Sequence, residues 1–190
     1  MKQLDKFAVV EVESIMKSLI IYGSQYGTAK AYATKLSEIT EIPCVSYENI
    51  KDIRNYEQII YLGGLYAGGV TGLKNTFRLL KNSNIKTIVV TVGLADVKNQ
   101  ENTDTIKASV AKQVEKDILE NSLIFHLRGS IDYSKLNFKH KTMMKMLYHA
   151  LKNKPVESLT QEDKAFIETY NKKVDFVDYH SLKQIVEAIQ

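Results

Sequence analysis

The 190-residue sequence holds one cysteine, two prolines, nine glycines and no tryptophan. A lone Cys44 excludes a disulfide framework, a cysteine-based zinc site and an iron–sulfur cluster, and it implies a reducing, cytosolic setting. So few prolines and glycines, with 44% apolar and 25% charged residues, exclude a disordered or collagen-like chain. No apolar run approaches the roughly 20 residues that a membrane-spanning helix needs. Met1 to Ile15 is interrupted by Asp5, Glu11 and Glu13, which makes it a poor signal peptide, so a cytoplasmic protein is expected. The four histidines, His126, His140, His149 and His180, show no metal-ligand spacing, and no strained nucleophile turn supports a Ser-His-Asp reading. No metal is therefore expected. Nor is nucleic acid, because the chain has no helix-turn-helix pattern and no RNA-binding aromatic motif.

Acidic residues are missing from one place in particular. Lys135, Lys139, Lys141, Lys145, Lys152 and Lys154 fall in a 20-residue stretch without a single Asp or Glu. Removing these six from the 26 basic residues leaves 20 against 22 acids, a net of −2, so one segment accounts for the overall charge of +4.

From Lys17 onward, short β-branched runs alternate with stretches of helical period, as parallel strands with crossover helices do. The expected strands are Ser18 to Tyr22, Pro43 to Tyr47, Gln58 to Leu62, Thr87 to Val92 and Ser122 to Leu127. Helical stripes run through Ala29, Tyr32, Ala33, Leu36 and Ile39, then Leu73, Phe77 and Leu80, then Ile106, Val110, Val114 and Ile118. A closing helix carries Leu182, Ile185, Val186 and Ile189. The reading is one doubly wound α/β domain over 17–190, with residues 1–16 as an N-terminal extension. About forty residues, roughly 128–170, separate the fifth strand from the closing helix, far more than an α/β connection requires, so they form an insertion.

An open parallel sheet binds ligands beyond the carboxyl ends of its strands. After the first strand comes Gly23-Ser24-Gln25-Tyr26-Gly27-Thr28-Ala29, a hydroxyl-rich turn into a helix. Free N–H groups at the helix start, the helix dipole and the Ser24 and Thr28 hydroxyls suit an anion. A P-loop is excluded by the missing Gly-Lys-Ser/Thr ending. The spacing of Gly23 and Gly27 is not that of a dinucleotide fingerprint. Strand three runs into Gly63-Gly64-Leu65-Tyr66-Ala67-Gly68-Gly69, and strand four into Val92-Gly93-Leu94-Ala95-Asp96.

The pattern Ser24-x-Tyr26-Gly27-x-Ala29 after the first strand resembles the Thr/Ser-x-Thr-Gly-x-Thr phosphate loop of flavodoxins, with Tyr26 and Ala29 in place of the usual threonines. The resemblance implies a flavodoxin-like sheet of order 2-1-3-4-5 and noncovalent FMN. Its implied cofactor-binding residues are Ser24, Gln25, Tyr26, Gly27, Thr28 and Ala29 at the phosphate, Leu65, Tyr66, Ala67 and Gly68 over the ring, and Val92, Gly93, Leu94 and Asp96 along its edge. Tyr66 is the candidate for stacking on the ring. The flavin carries the chemistry, so no catalytic acid or base is named.

The layout after strand four resembles the bacterial flavodoxin-type, menaquinone-dependent protoporphyrinogen dehydrogenases. In order, Leu127-Arg128-Gly129 ends a strand, Asp132-Tyr133 makes a turn, and Phe138 to Leu151 forms a basic, Met-rich helix. That likeness implies an oxidoreductase taking electrons from protoporphyrinogen IX to a quinone, at the inner face of the cell membrane. The alternatives are an electron carrier that exchanges electrons with a redox protein, and a binding module that has lost FMN. In the inserted helix, Leu136, Met143, Met146, Leu147, Ala150 and Leu151 share one face, with Lys141, Lys145, Tyr148 and Lys152 nearly opposite. Such a segment is expected to pack on the sheet or to engage an apolar ligand, a carboxylated substrate or, through Lys135 to Lys154, a membrane surface.

Overall fold

The computed structural model describes residues 17–66, 68–81 and 83–189, so the extension 1–16 and Ala67 lie outside the described residues. Five parallel strands form the expected sheet: β1 (Ser18–Gly23), β2 (Cys44–Ser46), β3 (Gln58–Tyr66), and then β5 (Lys86–Gly93) and β6 (Ser122–Arg128), with the short β4 (Gly69–Val70) off its edge. Their order is β2-β1-β3-β5-β6, which is the 2-1-3-4-5 arrangement once β4 is set aside. Side chains alternate across each strand. Ile20, Ile60, Ile88 and Val90 pack on one face, and Leu19, Ile21, Ile59, Tyr61 and Val89 pack on the other. Both faces are covered, which is why the strands read as unbroken apolar runs.

The first face packs against α1 (Thr28–Thr40) and the closing helix. The second packs against α2 (Leu73–Phe77), α3 (Gln100–Ala111) and α4 (Lys116–Glu120). In α1, Ala29, Tyr32, Ala33 and Leu36 are buried, whereas Ile39 is 49% exposed. At about 100° per residue Ile39 sits roughly 70° from the centre of the stripe, at its margin. The stripe expected from Ile106 to Ile118 is split. The chain leaves the helix at Lys112 and resumes at Lys116, yet Val110 and Val114 both reach the core.

Two strands differ from expectation. β2 is shorter, because the chain turns at Tyr47–Asn49 with the Ser46 hydroxyl accepting from the Glu48 N–H. β3 is longer. It runs past Leu62 and folds back as a hairpin, pairing Leu65 with Val70 and Tyr66 with Gly69. The return strand lies so close that a Cβ on Gly63 would stand 2.1 Å from Val70 Cγ1.

The excursion begins at β7 (Ser130–Asp132), continues through α5 (Phe138–Lys152) and α6 (Gln161–Thr169), and returns at β8 (Lys173–Asp175). From there the chain enters α7 (Lys183–Ile189). β7 and β8 pair antiparallel, Ser130 opposite Asp175, so the excursion is closed at its base and spans 130–175. Asn137 caps α5 by accepting from the His140 N–H at 2.9 Å, and Thr160 with Asp163 forms a capping box on α6. The packed face of α5 is rotated from the expected one. Met144 and Leu151 are buried and Tyr148 stacks on Tyr170, while Met146 and Ala150 face outward. The helix has to seat on Ile131, Tyr133 and α6, and Met144 rather than Met146 points there. Among the described residues no helix is long and apolar enough to cross a membrane.

Candidate functional site

The carboxyl ends of β1, β3 and β5 deliver three connections to one place, and the excursion covers it. Between them lies a cavity of about 750 Å³, within the range of small-molecule and cofactor sites. Its floor is built from Ser24 to Tyr26, Thr28 and Ala29, from Gly64 to Tyr66 with Gly68, and from Val92 to Leu94. Met143, Met144 and Leu147 of α5 and Phe166 of α6 roof it.

The first connection is organised by Gly27. It holds φ +92°, the left-handed conformation in which glycine pays no Cβ penalty, and immediately precedes α1. Space is not the reason for glycine here, since a Cβ would meet nothing within 4 Å. Its N–H donates to Ser24 Oγ at 3.1 Å, which closes the turn and leaves the serine hydroxyl proton free to donate elsewhere. No side chain caps α1, so the N–H groups of its first turn and the positive end of the helix point out of the turn. Thr28 is used differently from the expectation of an anion donor. Its hydroxyl donates to the Ser130 carbonyl at 3.1 Å and ties the excursion to this turn.

Tyr26 stands edge-on to Tyr66, centroids 6.0 Å apart, and to His140, 5.7 Å apart. Its hydroxyl is buried without a hydrogen-bond partner among the described residues. Burial, reinforced by nearby Tyr66 and Tyr133, pushes its ionisation far above the ordinary tyrosine range, so it is a neutral donor at physiological pH. Tyr133, whose buried hydroxyl also has no partner among the described residues, has its pKa raised to about 12 by burial.

Besides the Tyr26–His140 ring contact, two polar contacts fasten roof to floor. Gln25 Nε2 lies 2.8 Å from His140 Nε2, and the Tyr66 hydroxyl donates to Met143 Sδ at 2.9 Å. The edge connection is held by backbone and by charge: the Gly129 N–H donates to the Gly93 carbonyl at 2.6 Å, and Arg128 donates to the Leu94 carbonyl at 3.1 Å. The Arg128 guanidinium rests 3.7 Å from the centroid of Phe176.

Eleven of the expected site residues line this cavity: Ser24, Gln25, Tyr26, Thr28, Ala29, Leu65, Tyr66, Gly68, Val92, Gly93 and Leu94. Gly27 lies on the far side of the turn, in a shallower recess with Ala31 and Tyr179. Asp96 stands off the cavity, where its carboxylate accepts from the Lys98 N–H and its carbonyl from the Asn102 side chain, shaping the entry to α3. Sequence reasoning missed the wall supplied by α3, namely Thr105, Ala108, Ser109 and Lys112, and the contributions of Thr160 and Asp163. The α3 residues recur at helical spacing as small or polar side chains beside the apolar Ile106–Val110 stripe, a signal present in the sequence. Among the described residues no group of three His, Cys, Asp or Glu is arranged to hold a metal ion.

A family model described as a flavodoxin domain matches residues 19–158. The chain belongs to the flavodoxin domain family. No curated protein matches it. Among solved structures, a Lactobacillus acidophilus flavoprotein in complex with FMN is 13% identical, with 60% of this chain and 92% of that chain covered and a TM-score of 0.40. A Pseudomonas aeruginosa flavodoxin variant is 16% identical, covering 71% of this chain and 96% of that one, with a TM-score of 0.39. A Fusobacterium nucleatum flavodoxin variant bound to flavin mononucleotide is 16% identical, with coverage of 63% and 79% and a TM-score of 0.37.

The residues present suit a phosphorylated flat ring. The uncapped helix start and the Ser24 hydroxyl can take the phosphate, the orphaned Tyr26 hydroxyl offers a buried donor, and the slot between the β3–β4 hairpin and Val92–Leu94 is apolar.

Proposed function

We propose that this protein is an FMN-dependent oxidoreductase acting on a flat, apolar small molecule, with protoporphyrinogen IX as electron donor and a quinone as acceptor. The cofactor is FMN, which when bound supplies the two-electron redox chemistry. Ser24 and the first turn of α1 hold its phosphate, while the β3–β4 hairpin and Val92–Leu94 flank its ring.

The observation that carries this reading is the roof. A protein that shuttles electrons between larger partners needs one edge of its flavin bare. Here α5 and α6 lie across the cavity, and α6 reaches α3 on its other side. What is left is a chamber for a small substrate, lined by methionines that adapt to an irregular apolar shape. Lys112 and Asp163 mark polar positions in its wall, where a substrate carboxylate can find a cation. Tyr26, held neutral by burial, can donate a hydrogen bond beneath the roof. The order of Leu127-Arg128-Gly129, Asp132-Tyr133 and the basic helix supports the porphyrinogen over other flat donors.

Anaerobic mixing of the FMN-loaded protein with protoporphyrinogen IX and a soluble naphthoquinone tests the reading through porphyrin fluorescence. FMN-dependent, quinone-dependent porphyrin formation is expected. A flavin that a flavodoxin reductase reduces readily, while porphyrinogen leaves it oxidised, would assign the protein to electron carriage instead.

A further inference from the structure

The outward face of α5 differs from those of α4 and α7. On α4 and α7 the exposed lysines have acids one turn on, Lys116 with Glu120 and Lys183 with Glu187. On α5, Lys139, Lys141, Lys145 and Lys152 are all exposed, and no acid occurs anywhere between Lys135 and Lys154. Even the first turn is acid-free, although the helix dipole favours anions there. Among the described residues none of the six lysines of this segment enters an ion pair. Lys141 donates to the Ser134 carbonyl at 3.2 Å, and Lys152 lies 5.5 Å from the centroid of the Tyr148 ring, contacts that leave both charges uncompensated.

Two large apolar side chains stand among these cations. Phe138 is 86% exposed and Met146 is 63% exposed. One exposed phenylalanine is ordinary on a soluble protein. A phenylalanine and a methionine on the exposed half of a helix that also carries four uncompensated lysines, three along one side of it and Lys139 along the other, are a combination that water satisfies only in part. A nucleic acid or an acidic protein surface would answer the lysines and leave Phe138 and Met146 without an apolar partner. An anionic lipid interface answers both, with headgroup phosphates at the lysines and the acyl boundary just beneath.

We propose that the outward face of α5 docks on the anionic surface of a lipid bilayer, with Lys139, Lys141, Lys145 and Lys152 among the headgroups and Phe138 and Met146 inserted below them. Leu147, on the cavity side of the same helix, is 39% exposed, so the cavity opens beside the helix that docks. An apolar substrate dissolved in the bilayer then reaches the cavity without crossing water. That last step rests on the proposed oxidoreductase reading, whereas the docking itself requires no flavin and no substrate.

Co-sedimentation of the full-length protein with vesicles tests the docking. Binding is expected to vesicles of phosphatidylglycerol and phosphatidylcholine at low ionic strength, to weaken as salt rises, and to be absent with phosphatidylcholine alone. K139Q, K145Q and K152Q are each expected to weaken partitioning about fivefold, the factor that about 1 kcal/mol per lysine represents. The F138S/M146S pair is expected to weaken binding at high salt more than at low salt, because it removes the unscreened part. An unchanged near-ultraviolet circular dichroism spectrum establishes that the variants fold. Failure of the parent to bind anionic vesicles, or binding that neither set of substitutions changes, would overturn the proposal. So would binding to polyglutamate or RNA as tight as to vesicles and indifferent to F138S/M146S, which would assign the face to a soluble polyanion. Porphyrinogen oxidation in detergent-free solution reads the oxidoreductase separately, so either proposal can fail alone.

Discussion

The side-chain amide of Gln25 and the Nε2 atom of His140, 115 residues apart in the chain, lie 2.8 Å apart and join the turn after β1 to the first turn of α5. This contact is one of those that hold the roof down. Replacing Gln25 with Ala removes a hydrogen bond of about 1 kcal/mol without touching the phosphate turn's backbone. FMN release is expected to accelerate about fivefold with a smaller change in association rate, and stopped-flow fluorescence of the released flavin measures both. An unchanged release rate would mean that the roof does not retain the cofactor.

Gly27→Ala places a methyl group in open space but forces a side chain into the left-handed region, at a cost of about 1–2 kcal/mol. The apoprotein's melting temperature is expected to fall and FMN affinity to drop about tenfold, as the turn relaxes away from the helix start. Titration of apoprotein with FMN and riboflavin in parallel checks the role of the turn. The substitution should narrow the preference for FMN, because riboflavin lacks the phosphate that the turn would hold.

Tyr66→Ala removes the ring from the hairpin and the hydroxyl contact to Met143. The reduction potential of the bound flavin is expected to rise, since an aromatic cover disfavours negative charge on the reduced ring. Tyr66→Phe keeps the ring, loses only the sulfur contact, and should leave the potential near that of the parent. Spectroelectrochemical titration separates the two variants. Equal potentials in all three proteins would move Tyr66 off the ring.

His126 makes the fold sensitive to acid. It sits on β6 opposite Thr91 of β5, with Nδ1 2.7 Å from Thr91 Oγ1 and Nε2 buried without a partner among the described residues. Burial, and to a lesser extent the charge of Lys107, lowers its pKa from the model-compound value of 6.5 to about 4. Between those two values the unfolded chain binds a proton that the folded chain does not. The stabilising contribution is therefore complete above about pH 6.5 and is lost as the pH falls toward 4. Urea unfolding across this window should show stability declining with acid, and His126→Gln should flatten that decline. A parallel decline in both proteins would place the acid sensitivity elsewhere.

The sheet was legible because parallel strands covered on both faces leave a plain signature, and β1, β3, β5 and β6 all contain their expected runs. The turn after β1 was legible as a tight entry into a helix because serine and glycine before a helix are physically demanding residues. The hairpin after Leu62 was not, since Gly63 and Gly64 look like the end of a strand until Val70 is known to pair with Leu65. The role of Thr28 was hidden for a similar reason: its partner Ser130 lies 102 residues away. The rotation of α5 shows a limit of helical wheels. Met143, Met144 and Met146 offer two adjacent apolar faces, and partners remote in the chain, Ile131, Tyr133 and the Tyr170 ring stacked on Tyr148 at 4.0 Å, decide which is packed.

The pairing of β7 with β8 separates the molecule's two tasks. Where the excursion leaves and rejoins the sheet, the Phe176 N–H donates to the Gly129 carbonyl at 3.1 Å, so the chain ends flanking it are already neighbours. The segment between them is an appendage inserted at a single seam, and its length and chemistry can vary without moving β1, β3 or β5. A sheet that cradles a cofactor can thus acquire or exchange its covering in one genetic step. Substitutions that retune what enters the chamber are accordingly confined, for the most part, to residues that the parallel sheet does not need.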